Sequence, residues 1–156
     1  MTKILLHVED DENDVFLFQN AIDKAGAGGA VRAVSNGKMA MDYLNGVEKF
    51  QDRKAYPLPA AVLLDLKLPE ISGLEILKWI RGEAGLDVPV IVMSASHHKS
   101  DVTSAYELGC NAYLVKPSDP RELQEIANMI SGFWLKLNTL PRESTGLEEG
   151  DDGRQS

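Results

Sequence analysis

The sequence predicts an α/β fold in which five helices flank a five-stranded parallel sheet. Short continuous apolar runs alternate along the chain with segments whose apolar residues recur at helical spacing, and this alternation is typical of a parallel sheet. Several apolar runs end directly in charged or hydroxyl residues, as strands do at the sheet edge where ligands bind. A chain of 156 residues with 44% hydrophobic content is the size of one domain.

The first half of the chain alternates strand and helix twice. Residues 3–8 form an apolar strand, and the apolar positions after it recur at helical spacing until Gly26. Residues 30–34 form a weaker second strand. Asn36 and Gly37 then turn the chain into a second helix.

The second half repeats this pattern around a more apolar strand. Residues 60–64 are an uninterrupted apolar run, which is typical of a strand buried on both faces. The remaining predicted elements are a third helix opening at Ser72 and Gly73, a strand at 88–93, a helix at about 101–108 capped by Gly109, a strand at 112–115 and a final helix at about 120–138.

Two stretches exceed this minimal layout. Residues 46–59 are long and polar for a helix-to-strand connection, so they are predicted to be an insertion at the end of the sheet away from the strand C-termini. The domain is expected to span residues 1–141. Residues 142–156 are acidic and have no apolar period, which predicts a disordered tail.

Composition excludes several functional classes. The net charge of −8 repels nucleic-acid phosphate, so no DNA or RNA partner is expected. The lone Cys110 cannot form an internal disulfide, which suits a reducing compartment. No apolar run has the length of a membrane span or of a signal-peptide core with its cleavage site. We therefore expect a cytoplasmic protein that does not contact a membrane.

Polar residues with complementary chemistry follow four of the strands. Glu9 and Asp10 follow the first, Asp65 the third, Ser94 the fourth and Lys116 the fifth. Because the carboxyl ends of parallel strands meet at one edge of a sheet, these residues are expected to converge there.

This combination predicts a magnesium and phosphoryl site. Clustered carboxylates repel one another unless a cation lies between them, and hard oxygen ligands favour Mg²⁺ over zinc. Lys116 and Ser94 suit phosphoryl oxygens. No nucleotide-binding glycine loop follows the first strand, whereas an aspartate can itself accept a phosphoryl group as an acyl phosphate. Asp65, at the end of the central strand, is the candidate nucleophile.

Four motifs in order carry a family resemblance. They are Glu9-Asp10-Asp11, Asp65 with Pro69 and Gly73 after it, Ser94-Ala95, and Tyr113-Leu114-Val115-Lys116-Pro117. Over roughly residues 3–130 the chain resembles the receiver domain of a two-component response regulator. The resemblance implies a doubly wound, flavodoxin-like sheet with strand order 2-1-3-4-5. It also implies that a phosphoryl group arrives from the phosphohistidine of a histidine kinase, and that the protein catalyses only its own phosphorylation and dephosphorylation.

The resemblance also assigns residue roles by position. Asp65 would be the phosphoacceptor, Asp10 with Asp65 and the Lys67 backbone carbonyl would bind Mg²⁺, and Glu9 would act through a metal-bound water. Three consecutive acids leave the register open by one residue, so Asp11 is a lesser candidate ligand.

The same resemblance assigns the conformational switch. Ser94 and Lys116 would contact the phosphoryl oxygens, and Tyr113 would turn inward when Ser94 moves. The Lys116–Pro117 bond would be cis. Taken singly, several of these residues have a structural alternative: Asp10 or Asp11 as a helix cap, Ser94 as a partner for strand-end backbone, Tyr113 as a packing residue.

Lys67 departs from the usual family pattern. It lies two residues after the phosphoacceptor, where it would border the water that hydrolyses the acyl phosphate, and Ser96 lies two after Ser94. The sequence therefore predicts an altered phosphoryl lifetime, with the direction left open.

Features near the C-terminus concern partners. Residues 46–59 together with 133–141 resemble small response regulators paired with bacterial phytochrome-type histidine kinases. The signal would leave through contact with a downstream protein that the sequence does not identify. Phe133 and Trp134 predict a homodimer face shared with the fourth helix and fifth strand; the alternative is that both pack on residues 46–59.

Other functions have specific features against them. A phosphatase with an aspartyl nucleophile would normally place a second aspartate where Lys67 stands, and the three acids after the first strand would repel the phosphate of a flavodoxin-like cofactor. A phosphate sink, or a receiver that binds proteins without being phosphorylated, remains an alternative within the same fold.

Overall fold

The computed structural model describes residues 3–141 as a five-stranded parallel sheet with the order β2-β1-β3-β4-β5. This confirms the expected fold and strand order. The strands are β1 (Leu5–Val8), β2 (Val31–Val34), β3 (Ala61–Leu64), β4 (Val90–Ser94) and β5 (Ala112–Val115). The predicted tail at 142–156 lies outside the described residues.

The helices follow the predicted alternation. They are α1 (Glu12–Lys24), α2 (Gly37–Asn45), α3 (Gly73–Arg81), α4 (Lys99–Glu107) and α5 (Pro120–Met129), with short 3₁₀ turns at Gly28–Ala30 and Glu48–Phe50. The final helix differs from the expected single α-helix, because a π-helix at Ile130–Leu137 continues α5. Ser131 and Gly132 are weak helix formers, and the Ser131 hydroxyl donates to the Ala25 carbonyl at the end of α1 (3.3 Å).

Apolar side chains cover both faces of the sheet. Because strand side chains alternate between faces, Leu6 and Leu64 pack in one cluster with α2 and α3, whereas Leu5 and Leu63 pack in a second cluster with α1 and α5. The strand β3 is buried throughout. Burial on both faces explains why its sequence is continuously apolar rather than alternating.

Close packing of α3 fixes the backbone around Asp65. A Cβ atom at Gly73 would lie 2.3 Å from the Asp65 carbonyl oxygen and 2.6 Å from the Leu66 Cα. The Gly73 N–H donates to the Leu66 carbonyl (2.9 Å), and Ser72 with Glu75 forms a capping box at the start of α3. Only glycine allows α3 to begin this close to the end of β3.

Residues 46–59 pack against the end of α2. The Arg53 guanidinium donates to the carbonyls of Tyr43 and Leu44 (both 2.8 Å), and the Tyr43 hydroxyl donates to the Pro57 carbonyl (2.9 Å). Phe50 is buried, with its ring centre 5.0 Å from that of Tyr43. The segment leads into the N-terminal end of β3, opposite the sheet edge that carries Asp65.

Candidate functional site

Three carboxylates meet at the C-terminal edge of the sheet. Glu9 and Asp10 follow β1, and Asp65 follows β3; oxygen atoms from all three lie within 4.8 Å of one another. Glu9 and Asp65 are 2% and 7% exposed, whereas Asp10 is exposed to solvent. Parallel pairing of Val8 with Leu64 brings the two strand ends side by side. The structure thus brings together the first three predicted metal ligands.

Lys116 crosses this edge from the end of β5. Its Nζ lies 2.7 Å from Glu9 Oε1, 2.9 Å from Asp14 Oδ2 and 3.1 Å from Asp65 Oδ2. The backbone N–H of Lys116 donates to the Ser94 carbonyl (2.8 Å), which holds the end of β5 against β4. One ammonium group therefore bridges carboxylates from three different chain segments.

The electrostatics of the site favour an additional cation. Burial raises the pKa of Glu9 to about 7, and the nearby Asp65 charge adds to that rise, although the hydrogen bond from Lys116 opposes it. Burial disfavours the charged Lys116 ammonium, but hydrogen bonds from it to Glu9, Asp14 and Asp65 outweigh that effect and raise its pKa above the ordinary value. One ammonium charge thus faces the three carboxylates of Glu9, Asp14 and Asp65.

The predicted switch residues lie beside this cluster. Ser94, at the end of β4, is fully buried, and its Oγ accepts a hydrogen bond from the Ser96 N–H (3.2 Å). The Tyr113 hydroxyl donates to the Ser96 carbonyl (2.8 Å), and its half-buried ring packs against the apolar cluster on the α2 and α3 face of the sheet.

Ser96 organises the loop between β4 and α4. It is 6% exposed, and its hydroxyl donates to Asp101 in the first turn of α4 while accepting a hydrogen bond from the His98 N–H (3.3 Å). Its side chain is thus engaged with α4. The sequence shows Ser96 only as the second residue after Ser94 and gave no sign of the Asp101 contact.

The structure separates Asp11 from Asp10. The Oδ1 atom of Asp11 accepts hydrogen bonds from the N–H groups of Asn13 and Asp14, at 2.8 and 3.1 Å, and so caps α1. Asp11 is not part of the carboxylate group formed by the described residues Glu9, Asp10 and Asp65.

Lys67 lies at the mouth of the site. Its side chain is exposed, and its backbone N–H donates to Asp65 Oδ1 (3.2 Å). This bond holds the Asp65 carboxylate from the side opposite Lys116, whose Nζ contacts Oδ2.

Asp14 is a site residue that the sequence interpretation missed. Its carboxylate contacts Lys116, but acids in a first helical turn are ordinarily explained by the helix dipole. The available signal was topological: α1 and α5 pack on the same face of the sheet, so the first turn of α1 lies beside the segment that joins β5 to α5.

One prediction about this segment is wrong. The Lys116–Pro117 bond is trans, because the described residues contain no cis peptide bond. The trans isomer is the more stable one for an X–Pro bond by about 0.5–1 kcal/mol. The cis expectation came from the family resemblance and not from any local feature of this sequence.

No helix within residues 3–141 is both long and apolar enough to cross a membrane.

Comparison with known proteins agrees with this geometry. The response regulator receiver domain family matches residues 5–128. The regulator Rcp1 of Synechocystis sp. is 34% identical over 140 residues, covering 89% of this chain and 93% of that protein. The probable methanogenesis regulatory protein FilR2 of Methanothrix harundinacea is 34% identical over 139 residues, covering 88% of this chain and 87% of that protein.

Solved structures extend the similarity to three dimensions. The phosphorylated cyanobacterial phytochrome response regulator RcpA superimposes with a TM-score of 0.81 at 33% identity, covering 90% of this chain and 99% of that one. The Mn²⁺-bound form of Rcp1 gives 0.76 at 33% identity, with coverage of 89% and 99%. The carboxylate cluster, the lysine that bridges it and the sheet order all occur in a chain that belongs to the response regulator receiver family of two-component signalling.

Proposed function

We propose that this protein is a single-domain response regulator that accepts a phosphoryl group from the phosphohistidine of a histidine kinase onto Asp65. The observation that carries the proposal is the surroundings of the Asp65 carboxylate. Two further carboxylates offer oxygens within 4.8 Å, and the Lys116 ammonium lies 3.1 Å from Oδ2. A nucleophilic carboxylate between a cation site and a fixed ammonium group is suited to phosphoryl transfer.

The residues present fit Mg²⁺. Glu9, Asp10 and Asp65 supply only hard oxygen donors, and oxygens from the three side chains lie within 4.8 Å of one another. The Lys67 backbone carbonyl is the proposed fourth protein ligand. When bound, the metal would supply positive charge that offsets the repulsion between the carboxylates and an incoming phosphoryl group. The Mn²⁺-bound structure of Rcp1 supports a divalent cation in a related protein.

The proposed transfer uses residues that are already in place. An Asp65 oxygen attacks the phosphorus of the phosphohistidine, the phosphorus–nitrogen bond breaks, and its electron pair returns to the leaving imidazole. Lys116 then donates to a phosphoryl oxygen. The Ser94 hydroxyl, which now accepts from the Ser96 N–H, rotates to donate to another phosphoryl oxygen. Because Tyr113 also contacts Ser96, this rotation changes the contacts of β5 and α4 together.

We propose that the signal leaves through protein contact, with a phytochrome-type kinase upstream. The cyanobacterial phytochrome response regulator RcpA supports this choice, because it matches 90% of this chain. A cytoplasmic location is supported by the unpaired thiol of Cys110. A phosphate sink would use the same Asp65 chemistry and differs only in having no downstream partner.

The proposed homodimer would use an apolar stripe on α5 and the π-helix that continues it. Met129, Phe133 and Leu137 are spaced four residues apart and are 42%, 44% and 77% exposed. Tyr106 on α4 and Val115 on β5 are half-exposed as well. The stripe thus offers the kind of apolar surface that a second copy could cover.

The alternative packing suggested for Trp134 is wrong. Trp134 packs in the cluster shared by α1 and α5, whereas Phe50 and Tyr56 of residues 46–59 pack on the opposite face of the sheet. The sheet therefore lies between Trp134 and that segment.

The test is phosphorylation by a small donor. The protein is incubated with Mg²⁺ and acetyl phosphate, and its intact mass is compared with those of Asp65→Asn and of Glu83→Gln, an exposed acid far from the site. We expect a phosphate-sized mass gain in the wild type and in Glu83→Gln, and none in Asp65→Asn. A wild type that gains no phosphate from this donor or from a phosphorylated kinase would contradict the proposal.

A further inference from the structure

We propose that Asp14 is a positioning residue for phosphoryl transfer, holding Lys116 at the sheet edge while its other partners are engaged by the reaction. This inference rests on the proposed function. Its geometric basis is the contact of 2.9 Å between Lys116 Nζ and Asp14 Oδ2, which joins the first turn of α1 to the end of β5.

The hydrogen-bonding capacity of Lys116 makes this role specific. A lysine ammonium has three N–H donors, and the structure gives Lys116 three carboxylate acceptors, from Glu9, Asp14 and Asp65. Its donors are therefore fully used in this state. A phosphoryl oxygen can be bound only if one of the three acceptors gives way.

Two of the acceptors have other tasks during the reaction. Asp65 becomes the acyl phosphate, so its bond to Lys116 passes naturally to a phosphoryl oxygen. Glu9 belongs to the carboxylate group that would face the metal, whereas Asp14 lies outside that group. Asp14 is the one acceptor of the three that neither task removes, so it can hold Lys116 throughout the cycle.

The location of Asp14 suits a fixed anchor. Its backbone N–H donates to the Asp11 carboxylate that caps α1 (3.1 Å), and α1 packs against α5 directly beyond Lys116. The Asp14 side chain is 36% exposed. Exposed ion pairs add little to stability, so the contact with Lys116 is expected to matter mainly for its position.

A helix-dipole role for Asp14 can be separated from the positioning role. Glu12 is the other acid in the first turn of α1. Its side chain is exposed and makes no described contact with Lys116. Glu12→Gln therefore removes the same charge from the same helix end and serves as the matched control for Asp14→Asn. Asp14→Glu restores the carboxylate on a longer stem.

The first experiment measures phosphorylation rates of the full chain at saturating Mg²⁺ across a series of acetyl phosphate concentrations. Because small misplacements of a group at a reaction centre are costly, we expect Asp14→Asn to lower the maximal rate about tenfold. The donor concentration at half-maximal rate should change little. Asp14→Glu should recover part of the rate, and Glu12→Gln should match the wild type. A wild-type rate in Asp14→Asn, an equal loss in Glu12→Gln or no gain in Asp14→Glu would overturn the proposal.

A second measurement does not depend on phosphorylation. Proton exchange of the Lys116 ammonium group is followed by ¹⁵N NMR in the presence of Mg²⁺. We expect exchange to be several-fold faster in Asp14→Asn than in Glu12→Gln, because a lysine held by a carboxylate exchanges slowly. Equal exchange in the two variants would contradict the anchoring role. If the wild type takes up no phosphate but the exchange difference appears, the proposed function fails while the anchor stands.

Discussion

The hydroxyl of Tyr113 donates a hydrogen bond of 2.8 Å to the backbone carbonyl of Ser96. This bond joins β5 to the loop that follows Ser94, and Ser96 in turn contacts Asp101 in α4. Ser96 thus links β5 and α4 through one backbone contact and one side-chain contact.

Ser96→Ala tests this connection through stability. The substitution leaves the Asp101 carboxylate and the His98 N–H without the hydroxyl that they share, so we expect the free energy of unfolding to fall by about 1–2 kcal/mol. Urea denaturation measures the change. Ser100→Ala, an exposed serine in the first turn of α4, should lose less than about 0.5 kcal/mol. Equal losses in the two variants would show that the Ser96 hydroxyl contributes nothing beyond its exposed neighbour.

Gly73→Ala should damage both stability and phosphorylation. The added Cβ would meet backbone atoms of Asp65 and Leu66 at 2.3 and 2.6 Å, so α3 must shift away from Asp65. We expect a loss of about 3 kcal/mol or more. Gly132→Ala is the matched control, because nothing lies within 4 Å of its added Cβ. Thermal unfolding of both variants and phosphate uptake by any folded Gly73→Ala protein provide the readouts; a Gly73→Ala protein as stable and reactive as Gly132→Ala would refute the packing argument.

His7→Leu should change how stability depends on pH. Burial, with a smaller contribution from the Lys116 charge, lowers the His7 pKa from 6.5 to about 4. Between these values the unfolded chain binds a proton that the folded protein does not, so His7 costs stability as pH falls. The variant removes this cost. Its stability relative to wild type should grow by about 1.4 kcal/mol per pH unit below 6.5, reaching about 3 kcal/mol near pH 4.

The His7 effect is measured on metal-free protein, as the stability of His7→Leu minus the stability of the wild type at each pH. Glu9 has the opposite sign: its raised pKa of about 7 gives stability that is full below 4.5 and is lost as pH rises through 7. Subtracting the wild-type curve removes the Glu9 contribution. A constant difference for His7→Leu across this pH range would mean that His7 is protonated as readily folded as unfolded.

Lys67→Asn should shorten the lifetime of the phosphorylated protein. The exposed Lys67 side chain lies two residues beyond Asp65, where a long cation can cover the acyl phosphate, whereas a shorter amide admits and orients water. We expect the half-life after removal of the donor to fall several-fold. Lys54→Asn, an exposed lysine in residues 46–59, provides the control. An unchanged half-life in Lys67→Asn would contradict the prediction that Lys67 borders the water that hydrolyses the acyl phosphate.

Phe133→Asp should weaken the proposed homodimer. A charge in the centre of the stripe formed by Met129, Phe133 and Leu137 would be buried on association, at a cost of several kcal/mol. Light scattering after size exclusion, with and without acetyl phosphate, measures the mass. Val47→Asp places the same charge on an exposed apolar position of residues 46–59 and should leave the mass unchanged. A wild type that stays monomeric in both conditions would remove the dimer from the proposal.

The sequence predicted the fold well because the fold depends on local patterns. An uninterrupted apolar run such as 60–64 predicts a strand that is buried on both faces. The alternation of such strands with helices then predicts that the strands are parallel. The same reasoning predicted that Glu9, Asp10 and Asp65 meet at the C-terminal edge of the sheet. Contacts between side chains of distant elements could not be predicted, because the position of Asp14 opposite Lys116 depends on how α1 and α5 lie together.

The sequence also did not predict local details for which the alternative conformations have similar energies. Residues Ile130–Leu137 form a π-helix instead of the expected α-helix, and the spacing of apolar residues does not distinguish the two. The run Glu9-Asp10-Asp11 is equally compatible with Asp11 as a helix cap and with Asp11 as a metal ligand. Only the hydrogen bond that its side chain accepts from the Asn13 N–H shows that it caps α1.

The lysine bridge gives the resting molecule an internal counter-ion. Glu9 and Asp65 share the positive charge of Lys116, which offsets part of the repulsion between the two carboxylates. We therefore expect a chelator to stop phosphorylation without unfolding the protein. Small domains whose folding is driven by metal would instead unfold. Under the proposed function, the supply of metal would then set the reactivity of the site and not the stability of the fold.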